Sequence, residues 1–585
     1  MAGALRETEA PVFRRPHSGA SAAQSAPATH RRSSATIATT TRPPVGRIVI
    51  RPPTRKIIFD RAFSFSTLNP GPSTLDPPSS HTADVAVVGS GFGGCLTALI
   101  LQRIGRRVVV IDNAVHPRFA IGESSTPIAD VVLHDLATRY DLPRLKPLCR
   151  FGAWCQAYPG VARGLKRGFS YFRHEAGAPF RPDAEHRNEL LVTASASDAV
   201  SDTHWFRADV DAFLAGEVCA AGIPLLEGVE LTEIVTDGPG WVLRGLVPNA
   251  GDGVQLRARF VVDASGAAGV IPRALGVESS AAGVSTDSRA LFSHFRNVGL
   301  WEARYRQSGG DTGDHPFACD AAAVHHVFDD GWMWQLRFDN GVTSAGFVFD
   351  ARKHPLDESI SPEDEWLRQW ERLPSLAAQF ANAEIVDPPG RLIRTSRLQR
   401  RAKRIVGENW ALLPHTAGFI DPLHSTGIAH TLCGVERLTE ILNRAWDRDA
   451  LSSQLREYER TLFAELDLID GLVAGCYASL GDHRLFAAFC MLYFAAATTC
   501  EQRRTQSGNA DSSGYLLGDE AGFCAIVDRL GNDVRELAGR PASELEIAAF
   551  ESRLAEAITP YNTVGLCDAT AHNMYRHTAA VKGPG

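Results

Sequence analysis

The run Gly89-Ser90-Gly91-Phe92-Gly93-Gly94 joins an apolar, β-rich stretch (85–88) to a segment with helical apolar spacing at Leu96, Leu99, Ile100 and Ile104. Gly105 ends that segment, and a second apolar strand (108–111) closes on an acid, Asp112. Strand, glycine turn, helix, strand and acid in this order make a dinucleotide-binding unit. Gly89 permits the tight turn, Gly91 lets the backbone approach a pyrophosphate, and Gly94 lets helix and strand pack closely. The helix, expected over 95–104, offers free N–H groups and a positive dipole at its start to the pyrophosphate. Asp112 is placed to accept hydrogen bonds from a ribose diol. The unit by itself serves NAD and FAD equally.

Two later turns narrow the choice. Asp263-Ala264-Ser265-Gly266 follows a buried strand pattern at 259–262, and Asp421-Pro422-Leu423-His424-Ser425-Thr426-Gly427-Ile428 opens a helix over 429–445. An FAD domain of the glutathione-reductase type reuses its chain late, bringing a second helix N-terminus to the far end of the flavin. Gly427 and Ile428 fit that place, with backbone N–H groups near the pyrimidine edge of the ring system. The three turns together point to FAD.

These turns must be held by an α/β framework. The spacing predicts a two-dinucleotide-binding-type, Rossmann-like domain over 81–445. A mixed or antiparallel substrate-side sheet is inserted at about 150–210 and 285–400, and a mainly helical region follows over 446–585. Within the insert, Trp332 and Trp334 stand two apart on one strand and so share a face. Residues 141–159 read as turn-rich. Residues 1–80 are rich in Pro, Ser, Thr, Ala and Arg and poor in acids, and are expected to be a disordered extension rather than a transit peptide. The net charge of −7 gives no reason to expect nucleic acid. The 11 cysteines show no C-x-x-C and no zinc-like spacing with histidine, so no metal site is expected and a reducing, cytoplasmic setting is. The apolar run 485–500 is shorter than the roughly 20 residues of a membrane span and is expected to be a buried or tunnel-lining helix of a soluble chain.

With Asp112, Gly122-Glu123-Ser124-Ser125-Thr126-Pro127, Asp263–Gly266 and Phe419-Ile420-Asp421-Pro422 through Ile428, the glycine turn resembles the flavin-dependent halogenases, tryptophan-halogenase-like branch. More distantly it is similar to the para-hydroxybenzoate-hydroxylase class. The resemblance covers about 83–445. It implies FAD delivered reduced by a separate flavin reductase, and a halide, chloride or bromide, as co-substrate. Hypohalous acid then passes to a lysine beside an aromatic or otherwise electron-rich small molecule. By motif position that lysine is Lys166. An ammonium can donate a hydrogen bond to the oxidant, and an amine could form a haloamine. The flavin-side residues implied are Gly89, Gly91, Phe92, Gly94, Asp112, Glu123, Ser124, Ser125, Thr126, Asp263, Gly266, Asp421, Pro422, Ser425, Thr426, Gly427 and Ile428.

The chain departs from the family pattern in three places. After Trp332-Met333-Trp334-Gln335, Leu336-Arg337 replaces Ile-Pro. His424 stands where the family has a glutamate that removes the ring proton, and Pro414-His415 stands where Gly-Asp meets the ribityl chain. His424 could be a base near neutral pH or a flavin-side hydrogen-bond donor. The same fold could instead serve a hydroxylase, a geranylgeranyl-reductase-type reductase, or a non-halogenating flavin-binding accessory protein.

Overall fold

The computed structural model describes residues 79–248, 253–507 and 514–576. The extension expected over 1–80 lies outside the described residues but for its last two positions, where the first strand begins. That strand, Ser79–Val88, is the centre of a seven-stranded sheet. It pairs in parallel with Val108–Ile111 on one side and Gly253–Asp263 on the other. Leu225–Leu226 extends the sheet beyond Val108–Ile111. Trp410–Leu412 runs parallel to the end of Gly253–Asp263, so the chain does return late to the nucleotide sheet. Val85, Val87, Val110 and Val262 are wholly buried, as expected of strands covered on both faces.

A nine-stranded mixed sheet forms the second layer. Its order runs Glu384–Ile385, Ser288–Arg296, Thr343–Asp350, Gly331–Arg337, Ala323–Phe328, Gly168–Arg173, Glu189–Thr193 and Met574–Tyr575, with Ile393–Arg397 also on Ser288–Arg296. Side-chain alternation divides its residues between two cores. Phe169, Tyr171, Trp332 and Trp334 face the nucleotide domain and the C-terminal helices. Phe172, Met333 and Phe347 face a separate core with Trp301, Trp366 and Trp370. Through Met574–Tyr575, which pairs with Leu191–Val192, the helical C-terminal region is tied back into this sheet.

Two local readings change. Residues 141–159 hold a 3₁₀ helix, Pro143–Cys149, and an α-helix, Phe151–Ala157. Their prolines start turns without preventing helical ones. The apolar run lies in a helix, His483–Ser507, longer than the pattern implied. Its stretch His483–Gln506 is long and apolar enough to cross a membrane, yet 89% of the apolar window is buried inside the protein. It serves as a core helix.

Candidate active site

At the first glycine turn, Gly89 has φ +103°, and a Cβ there would lie 2.6 Å from the Ala264 carbonyl oxygen, so the turn and the Asp263 strand meet backbone to backbone. Helix Phe92–Arg103 starts at Gly91 with no side-chain cap, leaving its first N–H groups available. Asp112 accepts from the Ser90 N–H and hydroxyl, each at 2.7 Å, and from the Ala114 N–H at 2.9 Å. Burial pushes its pKa up, but these donors outweigh burial and hold the carboxyl below its usual range. Its first task is thus to fix the turn.

The motif reading missed the cations of this end. Arg207 grips Asp211 through two bonds (2.9 and 2.8 Å) and donates to the carbonyls of Ile121 and Gly122. Its guanidinium would stand 3.6 Å from a Cβ on Gly91, with that of Arg118 at 3.7 Å. Only the position of Arg207 directly before an amphipathic helix hinted at it.

Asp263 is buried and accepts from the N–H groups of Ser265 (2.8 Å) and Ile271 (2.7 Å), so its carboxylate shapes the second turn. Gly266, with φ +61°, donates its N–H to Thr416 Oγ1 at 3.0 Å. At the third turn Ser425 takes a left-handed conformation, φ 54°, and helix Thr426–Arg444 begins behind it without a side-chain cap. A Cβ on Gly427 would meet nothing within 4 Å among the described residues. A small cavity lined by His415, Phe419, Thr426 and Gly427 lies at this helix start. Ser124 Oγ and Thr126 Oγ1 are buried without a hydrogen-bond partner among the described residues. Open helix N-termini, a glycine facing open space and unsatisfied hydroxyls fit a polar, phosphate-bearing cofactor such as FAD.

Asp421 joins this end to the second sheet. Its Oδ1 accepts from the Leu423 N–H, and its Oδ2 from Ser288 Oγ (2.6 Å) and the Tyr477 hydroxyl (2.8 Å). The same Tyr477 hydroxyl accepts from Trp332 Nε1 at 3.1 Å. Burial outweighs these donors and raises the Asp421 pKa to about 6. Trp334 donates to Ser344 Oγ instead. Both indoles are buried and share a face, as the spacing implied.

Lys166 is no surface cation; it is completely buried. Strand Arg163–Lys166 pairs antiparallel with Asp202–Trp205, and a Cβ on Gly164 would lie 2.0 Å from the Arg337 carbonyl oxygen. The strand therefore sits hard against Gly331–Arg337. Nζ donates to the Ser125 carbonyl oxygen at 2.6 Å and lies 4.1 Å from the Phe169 ring centroid. Burial lowers its pKa to about 7 against the opposing pull of Asp202 and Asp130. Glu123 in the same stretch meets His294 Nε2 at 2.9 Å.

His424 is buried too. Its ring stacks on Tyr493 (centroids 4.4 Å apart, planes 5°), Nε2 is 3.5 Å from Cys476 Sγ, and Nδ1 has no partner among the described residues. Burial, reinforced by His325, lowers its pKa to about 3. Held so low, the imidazole stays neutral through physiological pH, where it can accept a proton from a strong acid or donate from its own N–H. Tyr493 also meets Phe169 at 5.9 Å, so Lys166 and His424 border one aromatic cluster. His325 completes it, stacked on Tyr171 at 4.5 Å and 5.2 Å from Trp332.

A two-sheet framework with open helix starts and unsatisfied hydroxyls fits a flavin-dependent oxidoreductase. Comparison with known families gives the branch. Residues 187–481 match the tryptophan halogenase family and residues 84–288 the FAD binding domain family. The chain belongs to the tryptophan halogenase family and is an FAD-dependent halogenase by kind. It is 28% identical to tetracycline 7-halogenase of Kitasatospora aureofaciens over 84% of this chain and 90% of that one. It is 29% identical to monodechloroaminopyrrolnitrin halogenase PrnC of Pseudomonas fluorescens over 79% and 78%. The crystal structure of halogenase PltM with phloroglucinol and FAD superposes with a TM-score of 0.72 at 25% identity, covering 84% of this chain and 99% of that one. The hydroxylase, reductase and accessory readings give way to halogenation.

Proposed function

We propose that this enzyme halogenates the ring of a free, electron-rich aromatic small molecule, with Lys166 as the group that presents the oxidant. The carrying observation is the burial of Lys166 at the edge of the Phe169, Tyr493 and His424 cluster, with a pKa of about 7. Relatives named for tetracycline and monodechloroaminopyrrolnitrin, and a neighbour solved with phloroglucinol, support a free small-molecule substrate.

The chemistry that FAD would supply when bound, reduced by a separate flavin reductase, is hypohalous acid from dioxygen and halide. The open helix starts at Gly91 and Gly427, with Phe92, Gly94 and Ile428 beside them, would hold FAD through their free N–H groups. Ser124 and Thr126 offer hydroxyls, and Arg207 and Arg118 balance the phosphate charge. The Lys166 ammonium donates to the oxygen of hypohalous acid and releases it as water when the ring takes the halogen. His424 Nδ1 accepts the ring proton. A neutral imidazole of low basicity suffices, because a halogenated ring cation is a far stronger acid. Trp332, held by Tyr477, helps close the substrate side from the flavin side. All 11 cysteines are unpaired, which supports action in the reducing cytoplasm, where NADH and a reductase are at hand.

The test is turnover of the purified protein with FAD, NADH and a flavin reductase, in chloride, bromide or no halide, with a β-diketone trap. Halide-dependent halogenation of the trap, lost in Lys166→Ala with FAD still bound, is expected. Peroxide release without halogenated product in either halide would overturn the reading.

A further inference from the structure

Directly behind His424 lie two thiols that the halogenation scheme does not use. Cys476 is on helix Leu451–Ala478 and Cys490 on helix His483–Ser507, and both are fully buried. Their sulfurs are 3.8 Å apart, in van der Waals contact, and Cys476 Sγ is 3.5 Å from His424 Nε2. The two helices come this close because Gly475 has no side chain; a Cβ there would lie 2.1 Å from the Phe489 ring. A path of contacts leads to the pair from Lys166. Nζ lies over Phe169, Phe169 meets Tyr493, Tyr493 stacks on His424, and His424 touches Cys476.

We infer that Cys476 and Cys490 are an oxidation site for the enzyme's own hypohalous acid, which closes them into a disulfide when no aromatic substrate intercepts it. The inference rests on the proposed halogenation chemistry. Sulfur is a better nucleophile toward hypohalous acid than a phenol ring, so oxidant left unspent at Lys166 is consumed at the thiols on this path of contacts. Cys476 attacks the halogen: the S–H and O–X bonds break, an S–X bond forms, and water leaves with the thiol proton. Cys490 then attacks that sulfur: an S–S bond forms, the S–X bond breaks, and halide leaves with the second proton. Two thiols and one hypohalous acid give one disulfide, water and hydrogen halide. The thiols lose two electrons and the halogen gains them.

Burial, and then the neighbouring Cys476 thiol, hold Cys490 protonated well above the usual thiol range. A pair of thiols sealed in an apolar interior is out of reach of bulky or charged oxidants. A small neutral acid generated inside the protein is the oxidant that reaches it. The disulfide draws Cys476 away from His424 and slows the enzyme until a reductant reopens it, so idle turnover limits itself.

The holoenzyme is run with FAD, flavin reductase, NADH and bromide, with and without an aromatic substrate. It is then alkylated, digested without reductant and mapped. In a parallel arm, equimolar hypobromous acid is added directly. Without substrate, activity is expected to fall on the order of tenfold and to return with dithiothreitol. A peptide linking Cys476 to Cys490 accompanies the loss, and substrate suppresses it. Cys490→Ala should lose activity irreversibly or not at all, and a linked peptide from the unaltered enzyme decides the matter even where that variant folds poorly. Free, alkylated Cys476 and Cys490 after bromide turnover without substrate or trap, by enzyme that halogenates the trap in a separate run, would overturn the inference and leave the proposed function standing. If no trap is halogenated, that function fails, and the added acid still decides: a linked peptide supports the site, and two free thiols remove it.

Discussion

Lys166 donates from Nζ to the carbonyl oxygen of Ser125 at 2.6 Å, tying a strand of the substrate-side insert to the Gly122–Pro127 stretch of the flavin domain. The bond aims a buried amine at an aromatic cluster and leaves its remaining hydrogens for a ligand. Lys166→Ala is therefore expected to cut aromatic halogenation by about 10²-fold or more while NADH consumption and oxygen uptake continue. In the unaltered enzyme, halogenated product per oxygen consumed should fall as pH rises through about 7, where the ammonium gives up its proton. Equal yields at pH 6 and pH 8.5 would exclude the ammonium as the working form.

The same burial carries a stability cost whose sign can be worked out. The pKa of Lys166 falls from 10.5 to about 7 on folding, so between these values the unfolded chain binds more protons than the folded one. The penalty is complete below pH 7 and fades as pH rises toward 10.5. Lys166→Met, similar in shape and uncharged, is expected to melt several degrees higher than the unaltered protein at pH 6. The gap should shrink steadily up to pH 10. Calorimetry across that range measures it, and a gap that widens with pH would contradict the assignment.

How far the sequence could be read follows from range. The Gly89 turn, Asp112 and the Gly427 helix start are local patterns, and each marks a strand end or helix start in the structure. Lys166 was found by motif position, but its burial depends on Gly164 packing against the Arg337 carbonyl, a contact between distant segments. Arg207, Tyr477, His325 and the Cys476–Cys490 pair carry no local signature. Tyr477 and the two cysteines lie in helices whose apolar patterns read as plain core, and only packing directs them to Asp421 and His424. Asp112 and Asp263 show the converse, since matching a cofactor motif concealed their work in holding the turns themselves.

Tyr477 occupies the centre of a buried relay, accepting from Trp332 Nε1 and donating to Asp421 Oδ2. Tyr477→Phe leaves the indole N–H without an acceptor and removes one of three donors from a buried carboxylate. A loss of about 1–3 kcal/mol in unfolding free energy is expected by denaturant titration. Because Trp332 loses its anchor between the two sheets, a larger share of oxygen should also end as free peroxide. A variant as stable and as well coupled as the unaltered enzyme would show that the relay holds nothing.

His424 presents two separable properties, a flat ring stacked on Tyr493 and a ring nitrogen without a partner among the described residues. His424→Phe keeps the first and removes the second. It should lower ring halogenation about tenfold to 10²-fold while FAD affinity and hypohalous acid capture by an easily oxidised trap stay near normal. Since the imidazole pKa is about 3, any inflection near pH 7 in product yield belongs to Lys166 and should persist in this variant. An inflection that disappears with His424 would reassign that ionisation.

Gly89 and Gly427 separate folding from cofactor binding. A Cβ at Gly89 would collide with the Ala264 carbonyl at φ +103°, whereas one at Gly427 would enter open space. Gly89→Ala is therefore expected to reduce the yield of folded protein, with FAD binding lost as a consequence. Gly427→Val should fold with a nearly unchanged melting temperature in the absence of FAD, because a Cβ at this position meets nothing within 4 Å among the described residues. Its methyls stand where the helix start would meet the flavin, so the dissociation constant for reduced FAD should rise by about tenfold, a cost of about 1.4 kcal/mol. Anaerobic fluorescence titration measures it, and unchanged affinity in a well-folded Gly427→Val would place the flavin away from that helix.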